Sequence, residues 1–213
     1  MAVPGSGAEG EQAMRRLEFF FDYGSPYSYL ADSRLPALAE CTGAEIIHRP
    51  MLLGGVFKAT GNSSPMANPC EAKRAYGALE LQRWVAHFRV PFRVNPHFPI
   101  NTLLLMRTAV AAQHAGVFEP FHRAVYPAFW AEGENLGEPE VVARVVEKAG
   151  LDASALLEAA GDAAVKAELR ATTEEAVARG AFGAPTFFVG DEMFFGNDRL
   201  DFVERALVEL GDS

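Results

Sequence analysis

Six residues, "LEFFFD" (17–22), constrain this chain more than any other stretch, because a helical spacing begins just beyond them, after Tyr23-Gly24-Ser25 alone. A short run that is apolar at nearly every position suits a strand buried on both faces. From Pro26 the apolar residues Tyr27, Leu30, Leu35, Leu38 and Ala39 recur at helical intervals, with Ser25 in the N-cap position and Pro26 first in the helix. "AEIIHRP" (44–50) reads as a second strand, and two strands joined through one helix should lie parallel.

Beyond this βαβ unit the grammar changes. "MLLGGVFKATGNSSPMANPCEAKRAYG" is rich in Gly, Pro, Asn and Ser and reads as a linker. Helical periodicity then runs through 74–88, 101–115, 119–131, 139–149, 153–160 and 162–179. The last is clearest, with Val165, Leu169, Thr173 and Val177 on one face and Gly180 beyond its end. Strands return at 185–190 and 192–196, joined by a Gly-Asp turn as an antiparallel hairpin. "NDRLDFVERALVEL" closes the chain as a helix capped by Asn197, with Leu200, Val203, Leu207 and Leu210 inward. The order predicts an α/β class: a βαβ…ββα domain (16–50 and 181–213) split by a linker plus an all-helical insertion (51–180). Residues 1–15 lack periodicity and read as a disordered leader.

Charge narrows the partners. With 19 basic and 28 acidic residues the net charge is -9, and no Lys/Arg cluster offers a footprint for nucleic acid. The N-terminus has no apolar core of the kind a secretory signal needs, and the longest apolar run is interrupted by Arg107; a soluble, cytoplasmic protein without a membrane span is expected. Cys41 and Cys70 form no CxxC pair, and His48, His87, His97, His114 and His122 show no ligand spacing, so neither a disulfide nor a metal is expected.

Ser25-Pro26-Tyr27-Ser28 stands where a redox enzyme of this layout carries Cys-Pro-x-Cys. A helix start exposes unpaired N–H groups and partial positive charge, which favours an anion. Serine cannot supply one at neutral pH, yet its hydroxyl can donate to a thiolate brought by another molecule. The site then serves an exogenous thiol, of ordinary pKa roughly 8.5, which about 1.4 kcal/mol of stabilisation lowers by about one unit. The competing reading is a plain N-cap worth about 1 kcal/mol. A disulfide oxidoreductase is disfavoured, since exchange needs an attacking and a resolving sulfur.

The set "FFFDYGSPYSYLA", "RPMLLGGVFKATGN", "PCEAKRAY" and "GAFGAPTFFVGDEMFFGNDRLDFVE" resembles the 2-hydroxychromene-2-carboxylate isomerases and the allied kappa-class glutathione transferases, in the DsbA-like thioredoxin-fold group. The likeness runs from Leu17 to Leu207 with the motifs in order. It implies a thioredoxin-like domain with a helical insertion, a homodimer, and glutathione held beside Ser25. It makes Pro185 a cis proline and Ala184 the residue whose backbone pairs with glutathione's cysteinyl part. Gly196, Asn197, Asp198 and Arg199 would contact glutathione, with amides for a carboxylate and the Asp198 side chain for the γ-glutamyl ammonium. Asn62 would add a glutathione contact. Phe57, Lys58, Asn68, Phe98 and Asn101 would face a small aromatic carboxylate substrate, where a point positive charge at Lys58 suits a carboxylate or phenolate. The implied activity is glutathione-dependent isomerisation of 2-hydroxychromene-2-carboxylate to trans-o-hydroxybenzylidenepyruvate, in the catabolism of aromatic hydrocarbons. Alternatives are a transferase that leaves glutathione on an electrophile, and a thiol-peptide binding module without turnover.

Overall fold

The computed structural model describes residues 15–211. The expected leader lies outside the described residues apart from Arg15, whose guanidinium donates to the Thr42 carbonyl at 2.7 Å.

Strand β1 (Arg16–Phe21) is central. It pairs in parallel with β2 (Glu45–Pro50), as a βαβ unit requires, and antiparallel with β3 (Thr186–Val189), which continues into β4 (Glu192–Phe195); the order is β2-β1-β3-β4. Alternation along β1 sends Leu17, Phe19 and Phe21 into the main core and Phe20 into a second cluster with Met51, Val56, Ala184 and Phe188. Both faces are thus buried. Phe19 stacks on Phe187, its register partner, with centroids 5.3 Å apart. Glu18 is held by Arg49 and Arg179 at 3.3 and 2.8 Å.

The first expected helix is two. Helix α1 (Pro26–Asp32) ends, and α2 (Leu35–Thr42) begins after Ser33 and Arg34. Pro36 explains the break: it has no N–H to return to the Asp32 carbonyl four residues back. The stretch read as linker contains a further helix, α3 (Leu53–Thr60), whose Gly54-Gly55 pair weakens its local signal. Burial of Val56 and packing against the later helix Ala163–Ala178 hold it. Helix α4 (Glu71–Phe88) starts three residues before the expected position and buries no residue completely.

Helices α5 (Leu103–His114), α6 (Phe118–Pro127), α7 (Pro139–Lys148), α8 (Ala153–Ala159) and α9 (Ala163–Ala178) fall within a few residues of the sequence reading. A π-helical turn, Ala128–Glu132, extends α6. Helix α10 (Leu200–Gly211) closes the domain. Asn197 is not its cap: Asn197–Arg199 form a 3-10 turn capped by Gly196, at φ 103°. Val203 and Leu207 point inward as expected, but Leu210 is 41% exposed, one turn past the edge of the core. The main apolar core is shared by the sheet and the inserted helices, so the fold is a thioredoxin-like α/β domain with its helical insertion packed onto it.

Candidate active site

Ser25 caps α1 at φ -97°, ψ 116°, with its Oγ accepting from the Ser28 N–H at 3.1 Å. Its hydroxyl donates to the Ala184 carbonyl at 3.0 Å, and the residue is 3% exposed. The Ala184–Pro185 peptide is cis, as is Phe98–Pro99, and the Gly196 N–H donates to the Pro185 carbonyl at 3.1 Å. Three segments far apart in the chain therefore meet: the start of α1, the turn before β3, and the turn after β4. The Ala184 carbonyl accepts the Ser25 hydroxyl, which leaves it one further lone pair. Pro26 has no N–H and the Ser28 amide is taken by Ser25, so the α1 terminus offers an arriving anion the Tyr27 amide and, after rotation, the Ser25 hydroxyl.

The 196–199 turn lies against α1. Asn197 is 4% exposed, and its Nδ2 has no hydrogen-bond partner. A buried amide donor left unmade costs about 1–3 kcal/mol, which a ligand oxygen would offset. The Asp198 carboxylate is paired with Arg199. Burial, then the charges of Glu80 and Asp198, raises the pKa of Tyr27. A cleft of about 390 Å³ runs from Asn197 and Asp198 to Arg34, Trp84 and Phe88. None of Phe57, Lys58, Asn68, Phe98 or Asn101 lines it.

Of the remaining expected contacts, the exposed Asn62 donates its amide to the Phe182 carbonyl at 2.8 Å, tethering α3's end to the approach of Ala184. Asn68 and Asn101 serve local turns: their side-chain oxygens accept the Cys70 and Leu103 amides at 2.9 and 3.0 Å. Phe98 is half-buried against Trp130, with centroids 5.3 Å apart. Phe57 is half-buried and Lys58 exposed on α3.

Two polar clusters were not singled out by sequence reasoning. In the first, His122 Nδ1 lies 2.8 Å from the buried Tyr23 hydroxyl and His122 Nε2 lies 2.8 Å from Asp32 Oδ1, with His48 Nε2 3.6 Å from the same oxygen. The Asp32, His48 and His122 ligand atoms lie within 4.8 Å of one another. In the neutral imidazole the Tyr23 phenol finds its acceptor in Nδ1, which leaves Nε2–H to donate to Asp32. No local spacing could reveal a cluster drawn from α1, β2 and α6. The buried hydroxyls of Ser28 and Tyr126 make no conventional hydrogen bond, and burial, reinforced by the charge of Asp32, pushes the Tyr126 phenol well above its ordinary pKa. Cys41 and Cys70 are exposed and free.

The second is Asp22, a carboxylate 1% exposed at the end of β1. Burial raises its pKa above 3.8, against the lowering effect of hydrogen bonds from Leu53, Gly24 and Thr102. A raised carboxylate pKa means the folded chain holds the proton longer than the unfolded one. On Asp22's account stability therefore falls as pH rises from about 3.8 through the folded-state value. Urea denaturation across that range is expected to show this component in the wild type and to lack it in Asp22→Asn.

Residues 16–208 match the family of the DSBA-like thioredoxin domain. A 2-hydroxychromene-2-carboxylate isomerase from Sphingobium xenophagum is 35% identical over 92% of this chain and 99% of its own. Glutathione S-transferase kappa 1 from Homo sapiens is 32% identical over 92% of each chain. Among solved structures, a 2-hydroxychromene-2-carboxylate isomerase superposes with a TM-score of 0.77 at 33% identity, covering 92% of this chain and 95% of that one. A probable DsbA oxidoreductase from Streptomyces coelicolor shares the fold, with a TM-score of 0.74 at 22% identity over 93% and 91% of the two chains.

Proposed function

We propose, from the premise that this chain belongs to the DSBA-like thioredoxin domain family, that it is an enzyme isomerising 2-hydroxychromene-2-carboxylate to trans-o-hydroxybenzylidenepyruvate with glutathione as cofactor. The observation that carries this is the hydroxyl of Ser25 at the start of α1, where it can turn from a carbonyl to a bound thiolate. A neutral hydrogen bond is then exchanged for a charge-assisted one about twice as strong.

Glutathione would lie along Ala184 and Pro185. Its γ-glutamyl end would reach Gly196, Asn197, Asp198 and Arg199, giving the unpartnered Asn197 amide an acceptor. Asn62 would border its other end. Phe57, Lys58, Asn68, Phe98 and Asn101 would receive the aromatic carboxylate. The thiolate forms a sulfur–carbon bond at an unsaturated carbon and the displaced electron pair moves onto the conjugated system. That shift breaks the bond between the hydroxyl-bearing ring carbon and the phenolic oxygen, which leaves with the bond's electrons and takes a proton; the ring is then open, and the former double bond, now single, rotates. Expulsion of the thiolate restores unsaturation in the trans product, so glutathione is not consumed. The chain's part is thiolate stabilisation and orientation.

The likeness to kappa-class relatives supports a second reading, transfer of glutathione to an electrophile. Incubating the protein with the chromene carboxylate, with and without glutathione, while following both absorbance and free thiol, separates the two. Turnover without thiol loss is expected. Stoichiometric loss would favour the transferase, and turnover without thiol would defeat both. A cytoplasmic homodimer completes the proposal; a monomer by light scattering would contradict it. Among the described residues no helix is long and apolar enough to cross a membrane.

A further inference from the structure

Asp22 takes a donor from each of three segments that carry the proposed site. Oδ1 accepts the Gly24 N–H at 2.8 Å, one residue before Ser25. Oδ2 accepts the Leu53 N–H at 2.8 Å, where α3 begins on its way to Phe57 and Lys58. The same Oδ2 accepts the Thr102 hydroxyl at 3.0 Å, beside Asn101 and in the turn that holds Phe98. These segments also touch directly: a Cβ on Gly24 would lie 2.9 Å from Thr102 Cγ2 and 3.3 Å from Asp22 Oδ1, so glycine is needed there.

We infer that Asp22 is a positioning residue for this reaction, fixing how far the thiol at Ser25 stands from the two walls that receive the electrophile. The inference rests on the proposed function above. A carboxylate is suited to the task because both oxygens accept. An amide would turn one acceptor into a donor facing an N–H or forcing the Thr102 hydroxyl to turn. Addition of sulfur to carbon is sensitive to such placement, since an error of about 1 Å can lower a rate by about 100-fold. A residue that merely stabilised the fold would, when altered, depress glutathione binding and turnover together. A positioning residue acting on the distance between the walls should separate them.

Thr102→Val removes one tether at nearly constant shape, Thr102→Ser keeps it, and Asp22→Asn sets an amide donor against the N–H of Gly24 or of Leu53, displacing the side chain that all three tethers share. The full chain is assayed for kcat and KM with the chromene carboxylate at saturating glutathione, for glutathione affinity by calorimetry, and by amide hydrogen exchange. Thr102→Val is expected to lower kcat about tenfold with glutathione affinity within about twofold of wild type, and Thr102→Ser to recover most of that loss. Asp22→Asn should lower kcat further and speed exchange in residues 23–25, 53–60 and 96–103, while β1 and β2 keep their protection. Equal behaviour of the two Thr102 variants overturns the inference, as does parallel loss of turnover and glutathione affinity. If the wild type neither binds glutathione nor turns over the chromene, the proposed function falls. The tether is then decided by exchange alone: unchanged protection of 53–60 and 96–103 in Asp22→Asn overturns it, and faster exchange there supports it.

Discussion

Ser25→Ala is expected to lower kcat/KM at saturating glutathione by about 10²- to 10³-fold, the usual consequence of deleting one preorganised donor to a reacting anion. The same change removes the α1 cap, because Ser25 Oγ accepts the Ser28 N–H. That loss is worth about 1 kcal/mol, or about 2–4 °C in melting temperature for a chain of this size. The two effects differ enough in scale to be told apart. A capping role alone predicts slightly lower stability with near-normal turnover. A thiolate-stabilising role also predicts that the thiol pKa of bound glutathione rises in the variant, moving the ascending, acid-side limb of the pH-rate profile to higher pH. Ultraviolet absorbance of the bound thiolate across a pH series measures this directly. Unchanged turnover in Ser25→Ala would remove Ser25 from the mechanism.

His122→Ala should produce the largest loss of stability, about 3–4 kcal/mol, read as a melting temperature lower by about 6–16 °C. The imidazole is 5% exposed and packed among Phe21, Phe118 and Tyr126, with ring centroids 5.4, 4.9 and 5.0 Å away. Removing it leaves a cavity in that aromatic cluster and strips the Tyr23 hydroxyl and Asp32 of hydrogen bonds at once. The variant should also alter the acid response. Burial pushes the Asp32 pKa up, but hydrogen bonds and charge from His122 and His48 outweigh it, and the net direction is down from 3.8. A depressed carboxylate contributes stability that is complete above its unfolded value and disappears as pH falls through the folded one. Wild-type protein should therefore lose this part of its stability only below about pH 3.8, and His122→Ala should show a smaller acid-side decline. Melting curves from neutral to acid pH for both proteins measure it. An equal slope in the two would show that His122 does not hold the Asp32 charge.

The strands, the hairpin and most inserted helices were legible because their signals are local. Apolar runs bounded by turn residues mark β1 and β3, and 3.6-residue spacing marks α9 with Gly180 behind it. Errors arose where a local signal was weak or cut short. Pro36 divided one expected helix, Gly54 and Gly55 concealed α3, and Leu210 continued a helical pattern beyond the core it was supposed to reach. Helix α4 is the opposite case: its spacing announced a helix correctly, yet none of its residues is fully buried, since periodicity does not say whether a partner surface exists.

For the site, the sequence alone determined the residue types: a hydroxyl where a redox enzyme keeps a thiol, a proline at the entry to β3, and Gly-Asn-Asp-Arg before the last helix. Which polar groups satisfy one another was set by the packing of distant segments. It gave the Ser25 proton to Ala184, the Asn62 amide to Phe182, three donors to Asp22, and His122 to Tyr23 and Asp32, while leaving Asn197 Nδ2 without an acceptor. The reason is physical. Backbone preferences are set by a residue and its near neighbours, whereas a buried donor or acceptor must find its partner wherever packing brings the chain together.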